Sequence, residues 1–584
     1  MRRKLFLILL TAFLLTPGSL QSAFSQSPQD EATPRSNGAI TGRVLNENGQ
    51  PVSHATVFVS GPTSLPQQRT ATTDDGGNFQ VAGLDASLYF VRASAPAYIT
   101  VPRDPDSLLP SVHRIGDSVT INLIKGGVIT GTVTSSNGQP LVQAGVRAIL
   151  VRDSNGKPPA GLRFPLERTT DDRGVYRIYG LAAGTYLVSA GGRMGSPYYS
   201  GVYDSDSPTY APSATRDTAV EIEVRAGEET TGVDIRHRGE TGHSISGIVN
   251  GSTSQNAPTN IVLGQKLNGV SQMSAITFQA PNSKGFAFYG VADGDYDLVA
   301  HSQGQGEAQT SEPQHVTVRG RDITGLNLTL NSLPSVSGRV VLETSRTPEC
   351  KNKRKPLFSE TSLTARRTDK DAKDLFAYPN FSMSQTSPDK SGDFLLRNFA
   401  PGQFTLNIRF FAKYWYLRRI EWDVAAAQPV KTAGRQNDLA RDGFQLKLGE
   451  RLSNVTVTLA EGASSVRGAL KLAEGNSLPP KLYLHLVPAE KESTEDVLRF
   501  FTTAVQTDGT FSVNNVPPGR YWVLTRLPGN SEPQFDAKLR APDEAATRAQ
   551  IRREAEANET ELELKPCQNL VDYQLPFRIS AVKN

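Results

Sequence analysis

Two cysteines, Cys350 and Cys567, in a chain of 584 residues are too few to staple a protein of this size, so packed apolar cores must carry its stability. Charge of one sign is missing too. There are 62 basic and 58 acidic residues, and with Arg2, Arg3 and Lys4 in a leader the rest stands at 59 against 58. A nucleic-acid partner would leave a strong basic excess, and this balance excludes one. The seven histidines are scattered. There is no Gly-x-Ser-x-Gly elbow and no cysteine with a nearby histidine pattern, so nucleophilic hydrolysis has no footing in the sequence.

Long apolar runs are absent after the first residues. Arg2-Arg3-Lys4, the apolar run Leu5 to Leu15, Pro17-Gly18 and the small-x-small site Ala23-Phe24-Ser25 read as a signal peptide over 1–25. The run is well short of the roughly 20 residues that span a bilayer, and no cysteine follows it to carry a lipid. After cleavage no transmembrane span is left. The mature chain is expected to be exported and to end up periplasmic, outer-membrane-associated or extracellular. In that oxidising space Cys350 and Cys567 are expected to join, tying the fourth domain to the tail of the fifth. Two separate thiols are the competing reading, because the distance between them is not written in the sequence.

What is present is repetition. A polar turn, a strand and a second strand opening on Tyr or Phe recur five times. The first is Thr73-Asp74-Asp75-Gly76-Gly77-Asn78-Phe79 with Leu84 and Tyr89; the second is Thr170-Asp171-Asp172-Arg173-Gly174-Val175-Tyr176 with Leu181, Gly184 and Tyr186. The third has Gly285, Phe286, Val291, Gly294 and Tyr296, the fourth Gly392, Phe394, Phe399, Gly402 and Phe404, and the fifth Asp508-Gly509-Thr510-Phe511, Val516, Gly519 and Tyr521. Upstream of each lies a strand-like run with a central glycine, at Gly42, Gly131, Gly247, Gly338 and Gly468. A recurring unit of this size is a domain. At roughly 100 to 150 residues per domain the chain holds about four to six.

The expected fold is all-β, a tandem array of five small Greek-key β-sandwiches. A disordered polar leader covers 26–38, and the domains cover 39–125, 126–239, 240–330, 331–459 and 460–584. The second carries a tyrosine-rich loop, and the fourth is enlarged by insertions. The last holds the one short helix, opened by Pro542-Asp543-Glu544 and carrying Arg552-Arg553 late, the order a helix dipole favours.

The pattern Gly-x-Val, Asn-Gly-x-Pro-x-x-x-Ala-x-Val, Thr-Asp-Asp-x-Gly-x-Tyr, Leu-x-x-Gly-x-Tyr resembles the carboxypeptidase regulatory-like domain. Domains one and two match nearly throughout, and domains three to five mainly in their second halves. The resemblance implies a seven-stranded transthyretin-like sandwich among the carbohydrate-binding-like folds. It implies little about function, since that family is an accessory module on peptidases, surface proteins and outer-membrane receptors. The run RREAEANETELELKPCQNL is similar to the endings of secreted multi-repeat proteins of environmental bacteria.

A peptidase reading points to His237-Arg238-Gly239-Glu240-Thr241-Gly242-His243, whose His-x-x-Glu spacing imitates the start of a zinc site. Catalytic zinc needs three rigid ligands and an oriented outer shell, whereas this segment is a glycine-flanked junction between domains, and no catalytic domain accompanies it. The acidic turns at Asp74-Asp75 and Asp171-Asp172 lack the spaced ladder of a calcium loop and read as turn chemistry. The opening strands ITGRV, ITGTV, ISGIV and VSGRV carry no lysine from which an isopeptide crosslink would start. No catalytic residue, metal or cofactor is expected.

Two aromatic clusters remain. Tyr198, Tyr199, Tyr203 and Tyr210 accompany Asp204 and Asp206, and Tyr414, Trp415, Tyr416 and Trp422 accompany Arg418 and Arg419. Such groups form either platforms on which sugars stack or covers over the seams between domains. The basic run Lys351 to Lys355 reads as a solvated loop or a contact for anionic polysaccharide. The sequence thus describes a non-catalytic, monomeric binding or scaffold protein, with carbohydrate or another envelope protein as the partner classes. A purely structural accessory of the envelope is the first alternative, and a hydrolase-associated module or peptidase the second.

Overall fold

The structure, a computed structural model, describes residues 38–61, 68–100, 112–159, 165–192, 202–251, 258–267, 270–279, 283–303, 308–368, 383–422, 437–471, 478–479, 482–527, 539–540 and 544–577. The segment expected to be a signal peptide, the expected leader up to residue 37, Tyr198, Tyr199, Pro542 and Asp543 lie outside them.

Ten sheets form among the described residues, two in each repeat. In the second repeat Gly127–Thr134 runs antiparallel to Val175–Leu181 on one side. On its other side it is parallel to the short closing strands Glu229–Thr230 and Ile235–Arg236. The facing sheet sets Gly145–Asp153 between Leu166–Thr169 and Gly184–Ala190. A parallel partner requires a crossover, and this one closes the sandwich. Gly38–Leu45, His243–Asn250, Ser335–Glu343 and Ser464–Lys471 are held in the same way, antiparallel on one side and parallel on the other. Alternate residues point inward, so Val57 with Val59, and Tyr186 with Val188 and Ala190, are buried. Each repeat encloses its own core.

The central glycine of each opening strand answers to close approach. A Cβ on Gly42 would stand 2.0 Å from the Val119 carbonyl oxygen of the closing strand. The distances at Gly131, Gly247, Gly338 and Gly468 are 2.0, 2.3, 1.9 and 2.1 Å to Val233, Leu326, Val455 and Tyr573. No side chain fits there without moving the closing strand.

The tyrosine of the Gly-x-Tyr phrase is a second fixed point. Its hydroxyl donates to the carbonyl four residues upstream, at 2.9 Å for Tyr89 to Asp85 and 2.8 Å for Tyr186 to Ala182, Tyr296 to Ala292 and Tyr521 to Pro517. The ring fills the core while the hydroxyl fixes the corner. The fourth repeat has Phe404, fully buried, edge-on to Phe399.

The last domain holds the expected helix, and among the described residues the fourth domain adds a short one, Leu439–Asp442. The Asp438 carboxylate caps it, accepting from Ala440 and Arg441. The helix of the last domain, Ala545–Ala557, is not arranged for its dipole, since its first turn holds no acid and its last turn no base. Burial holds it instead: Ile551 and Ala555 pack with Val487, Phe500 and Leu524 on the outer face of the fifth domain's sheet.

Candidate functional site

His237, Glu240 and His243 do not converge. His237 is 4% exposed, its Nε2 lies 2.9 Å from Asp206 Oδ2, and its ring meets Tyr203 edge-on at 5.8 Å. Glu240 is held by Arg238. His243 faces Asp293 at 3.4 Å and Asp322 at 3.9 Å in the third domain. Among the described residues no three His, Cys, Asp or Glu side chains are grouped so as to hold a metal. The segment is a joint: Ser207 N donates to the Glu240 carbonyl at 2.7 Å and Gly242 N to the Ser205 carbonyl at 3.0 Å.

The acidic turns hold their own backbones. Asp74 accepts from Asn78 N and Asp171 from Val175 N, both at 2.8 Å. Those backbone bonds are the main reason both carboxyls sit below the usual carboxylate range.

The tyrosine-rich segment covers its own domain. Tyr210 is buried with Val151 and Leu187 on the outer face of the sheet, and Thr209–Tyr210 pairs with Ser189–Ala190. Tyr203 is part-buried against the second core. Neither Tyr210 nor the Tyr203 face against His237 is an open stacking surface. Tyr198 and Tyr199 lie outside the described residues.

The fourth-domain cluster is built into a sheet. Trp415–Trp422 pairs with the closing strand Arg451–Glu461. Trp415 is fully buried, and Trp422 is half-buried against the same core. Burial raises the Tyr416 phenol. Tyr414 is half-buried under the Lys353 ammonium, 4.5 Å from the ring centroid. Arg418 and Arg419 both bind Glu343, at 2.5 and 2.9 Å. Within the basic run, Lys353 is thus engaged on Tyr414, and Arg354 on Glu360 at 2.6 Å.

These aromatics border the fifth domain. The Tyr414 carbonyl accepts from Gly462 N at 2.8 Å and Ala463 N at 3.0 Å. Cys350 and Cys567 form a disulfide across the seam. Val497 and Leu498 of the fifth domain enter the fourth core, buried to 2% and 7% exposure.

The joints share a device. In every repeat a residue of left-handed backbone stands at or just past the end of the strand after the polar turn: Gly83, Gly180, Gly290, Asn398 and Asn515, with φ of 71, 77, 66, 62 and 58°. Glycine and asparagine are the residues that tolerate this conformation. In repeats three to five, this residue meets the segment following the Gly-x-Tyr or Gly-x-Phe strand of the domain before, and in the second repeat the strand that carries Gly180 does so. Tyr98–Thr100 lies against Val175–Leu181. A Cβ on Gly290 would stand 2.5 Å from the Asp204 carbonyl oxygen. Asn398 Oδ1 accepts from Ala308 N at 3.2 Å. Asn515 Nδ2 donates to the Ala412 and Trp415 carbonyls at 2.8 and 2.7 Å. The sequence reading missed Asn398, Asn515, Val497 and Leu498. Aligning the repeats would have exposed the two asparagines, which stand where the other repeats have glycine.

Residues 39–107 match the model of the carboxypeptidase regulatory-like domain. No match was found among curated proteins. Among solved structures the chain is similar to GBS52, the minor pilin of Streptococcus agalactiae, at 14% identity and a TM-score of 0.19, covering 34% of this chain and 96% of that one. It is similar to the Bacillus anthracis TIE protein at 12% identity and a TM-score of 0.14, covering 74% and 76%. For BcpA, the major pilin subunit of Bacillus cereus, the values are 11%, 0.14, 50% and 99%. No helix among the described residues is long and apolar enough to cross a membrane.

Proposed function

We propose that the chain is a non-catalytic scaffold of the cell envelope or exterior, an exported array of five sandwiches fixed to one another joint by joint. One observation carries this reading: the described side chains that stood out as candidate ligands are engaged at seams and covers. His237 is buried on Asp206 beside the second joint, Tyr210 covers the second sandwich, Trp415 is core, and the cysteines bond the fourth domain to the fifth. Aromatic rings spent on packing are unavailable for stacking a ligand.

A glycan array probed with the mature chain tests it, repeated with a Tyr198→Ala/Tyr199→Ala variant and with Trp422→Ala. The scaffold reading expects no glycan above background for any of the three. Binding by the native chain that is lost in either variant would replace it with a carbohydrate-binding function.

A further inference from the structure

The joints described so far run in chain order. One contact does not. The strand His113–Arg114 pairs with Leu88–Tyr89 at the rim of the first domain, and there the Arg114 guanidinium lies over the ring of Phe411 in the fourth domain, 4.4 Å from its centroid. Arg409 lies over the same ring at 5.3 Å. Ser87 Oγ donates to the Ser359 carbonyl at 3.4 Å, across 272 residues of sequence. Asp117 shapes the turn that presents Arg114, its carboxylate accepting from Arg114 N at 2.8 Å. His113 is held below its ordinary range, chiefly by burial, with Asp117 opposing and Arg409 adding to the effect. The two rims therefore share one electrostatic environment.

We propose that this contact is a reversible clasp, closing the first four sandwiches into a ring to which the fifth is bonded through the fourth. The joints supply the rest of the circuit, from the first domain to the second where Tyr98–Thr100 meets Val175–Leu181, to the third at Gly290 and to the fourth at Asn398. The clasp is made differently from the seam between domains four and five, which has a disulfide and two buried apolar side chains. Among the described residues the clasp rests on guanidinium stacking and a hydrogen bond from Ser87, the chemistry of an interface that exchanges, as contacts between domains of one chain commonly do.

The clasp also reaches the last joint. Phe411 precedes Ala412, whose carbonyl accepts from Asn515, and Trp415, which accepts the same side chain, follows closely. One short strap, Arg409 to Trp415, thus touches the first domain with one part and the fifth with another. Release of Phe411 by Arg114 opens the ring while Asn515 keeps the strap on the fifth domain. The array is in this sense a two-state device, closed by its first domain, and this inference does not depend on the scaffold reading.

The test uses the full oxidised chain with Ser87→Cys and Ser359→Cys, treated with a short bis-maleimide and mapped by peptide analysis. An intramolecular crosslink between 87 and 359 is expected. Adding Arg114→Ala or Phe411→Ala is expected to slow it about tenfold, as loss of a desolvated cation–π contact implies. The same variants should lengthen the maximum dimension seen by small-angle X-ray scattering, and Phe411→Tyr, which keeps the ring, should restore both readings. The intact Cys350–Cys567 bond and unchanged unfolding transitions serve as folding controls. No crosslink in protein that passes those controls, or one that forms equally fast in Arg114→Ala and Phe411→Ala, overturns the clasp.

Discussion

Cys350 and Cys567 are 217 residues apart in sequence, and their Cα atoms are 5.4 Å apart across the seam between the fourth and fifth domains. Beside the bond, Cys567 N donates to the Gly462 carbonyl at 3.0 Å, at the point where one domain becomes the next. The bond therefore closes over a joint that hydrogen bonds and apolar insertion already form.

Replacing both cysteines by serine should loosen that joint and leave the first three domains alone. In the chain-entropy model, a loop this long stabilises by about 5 kcal/mol at most. Differential scanning calorimetry should show the transition of domains four and five moving down while the others hold. A uniform downward shift of every transition would contradict the independence of the cores.

The tyrosine corner can be tested in the fifth repeat. Tyr521 is fully buried and donates to the Pro517 carbonyl at 2.8 Å. Tyr521→Phe leaves that carbonyl unpaired and should cost about 1 to 3 kcal/mol, and Tyr521→Ala about 3 to 5 kcal/mol. Urea unfolding followed by near-ultraviolet circular dichroism reads both.

Gly131→Ala should open the second sandwich. The new methyl would stand 2.0 Å from the Val233 carbonyl oxygen, so the closing strand must leave its place, at a cost of about 1 to 3 kcal/mol or more. Limited proteolysis should then cut within 126–239 first. Cleavage spread evenly over all five repeats would argue against separate units.

Acid should weaken the fifth domain before its carboxylates titrate. Burial, with Arg526 adding to it, pushes the His485 pKa down to about 3. A histidine depressed in the folded state takes up its proton more readily when unfolded, so its effect on stability is nil above about pH 6.5. Stability then falls as pH drops from there toward 3, reaching a loss of about 3 kcal/mol near pH 4. His301 acts likewise in the third domain, with burial pushing it to about 4. His485→Gln should move the acid transition of the fifth domain to lower pH, and an unmoved transition would remove His485 as its cause.

His237→Ala should loosen the second domain beside its joint with the third, as loss of a packing residue and not of a metal ligand. Asp206 would lose its ring partner at 2.9 Å in a mostly buried setting, at about 1 to 3 kcal/mol. EDTA should leave the melting profile of the native chain unchanged. A zinc lost together with a peptidase activity would reverse this.

Much of the fold was legible because its signals are local. Alternation, turn residues and the glycine of each opening strand are set within a few residues, and the cysteine pair was a choice between two outcomes. The aromatic clusters were not legible, because their destinations depend on register. In Trp415–Trp422 a bulge between Leu417 and Arg419 shifts the pairing, so Trp415 and Ile420 both face the core although they are five apart. Strict alternation puts them on opposite faces. The helix of the last domain misled for a related reason: its place was read from the order of charges, but what holds it is the apolar outer face of a sheet distant in sequence.

The bulge that receives each preceding domain bears on how such a chain can lengthen. Both halves of a joint are carried within one repeat, the socket on the strand that carries Gly180 or at Gly290, Asn398 or Asn515, and the plug after the aromatic strand. A duplicated repeat inserted in tandem therefore arrives with a socket for the neighbour before it and a plug for the neighbour after it. Growth of the array then needs no new kind of interface, and the joints differ in whether that position is glycine, as at Gly290, or an asparagine whose side chain bonds the neighbour, as at Asn398 and Asn515.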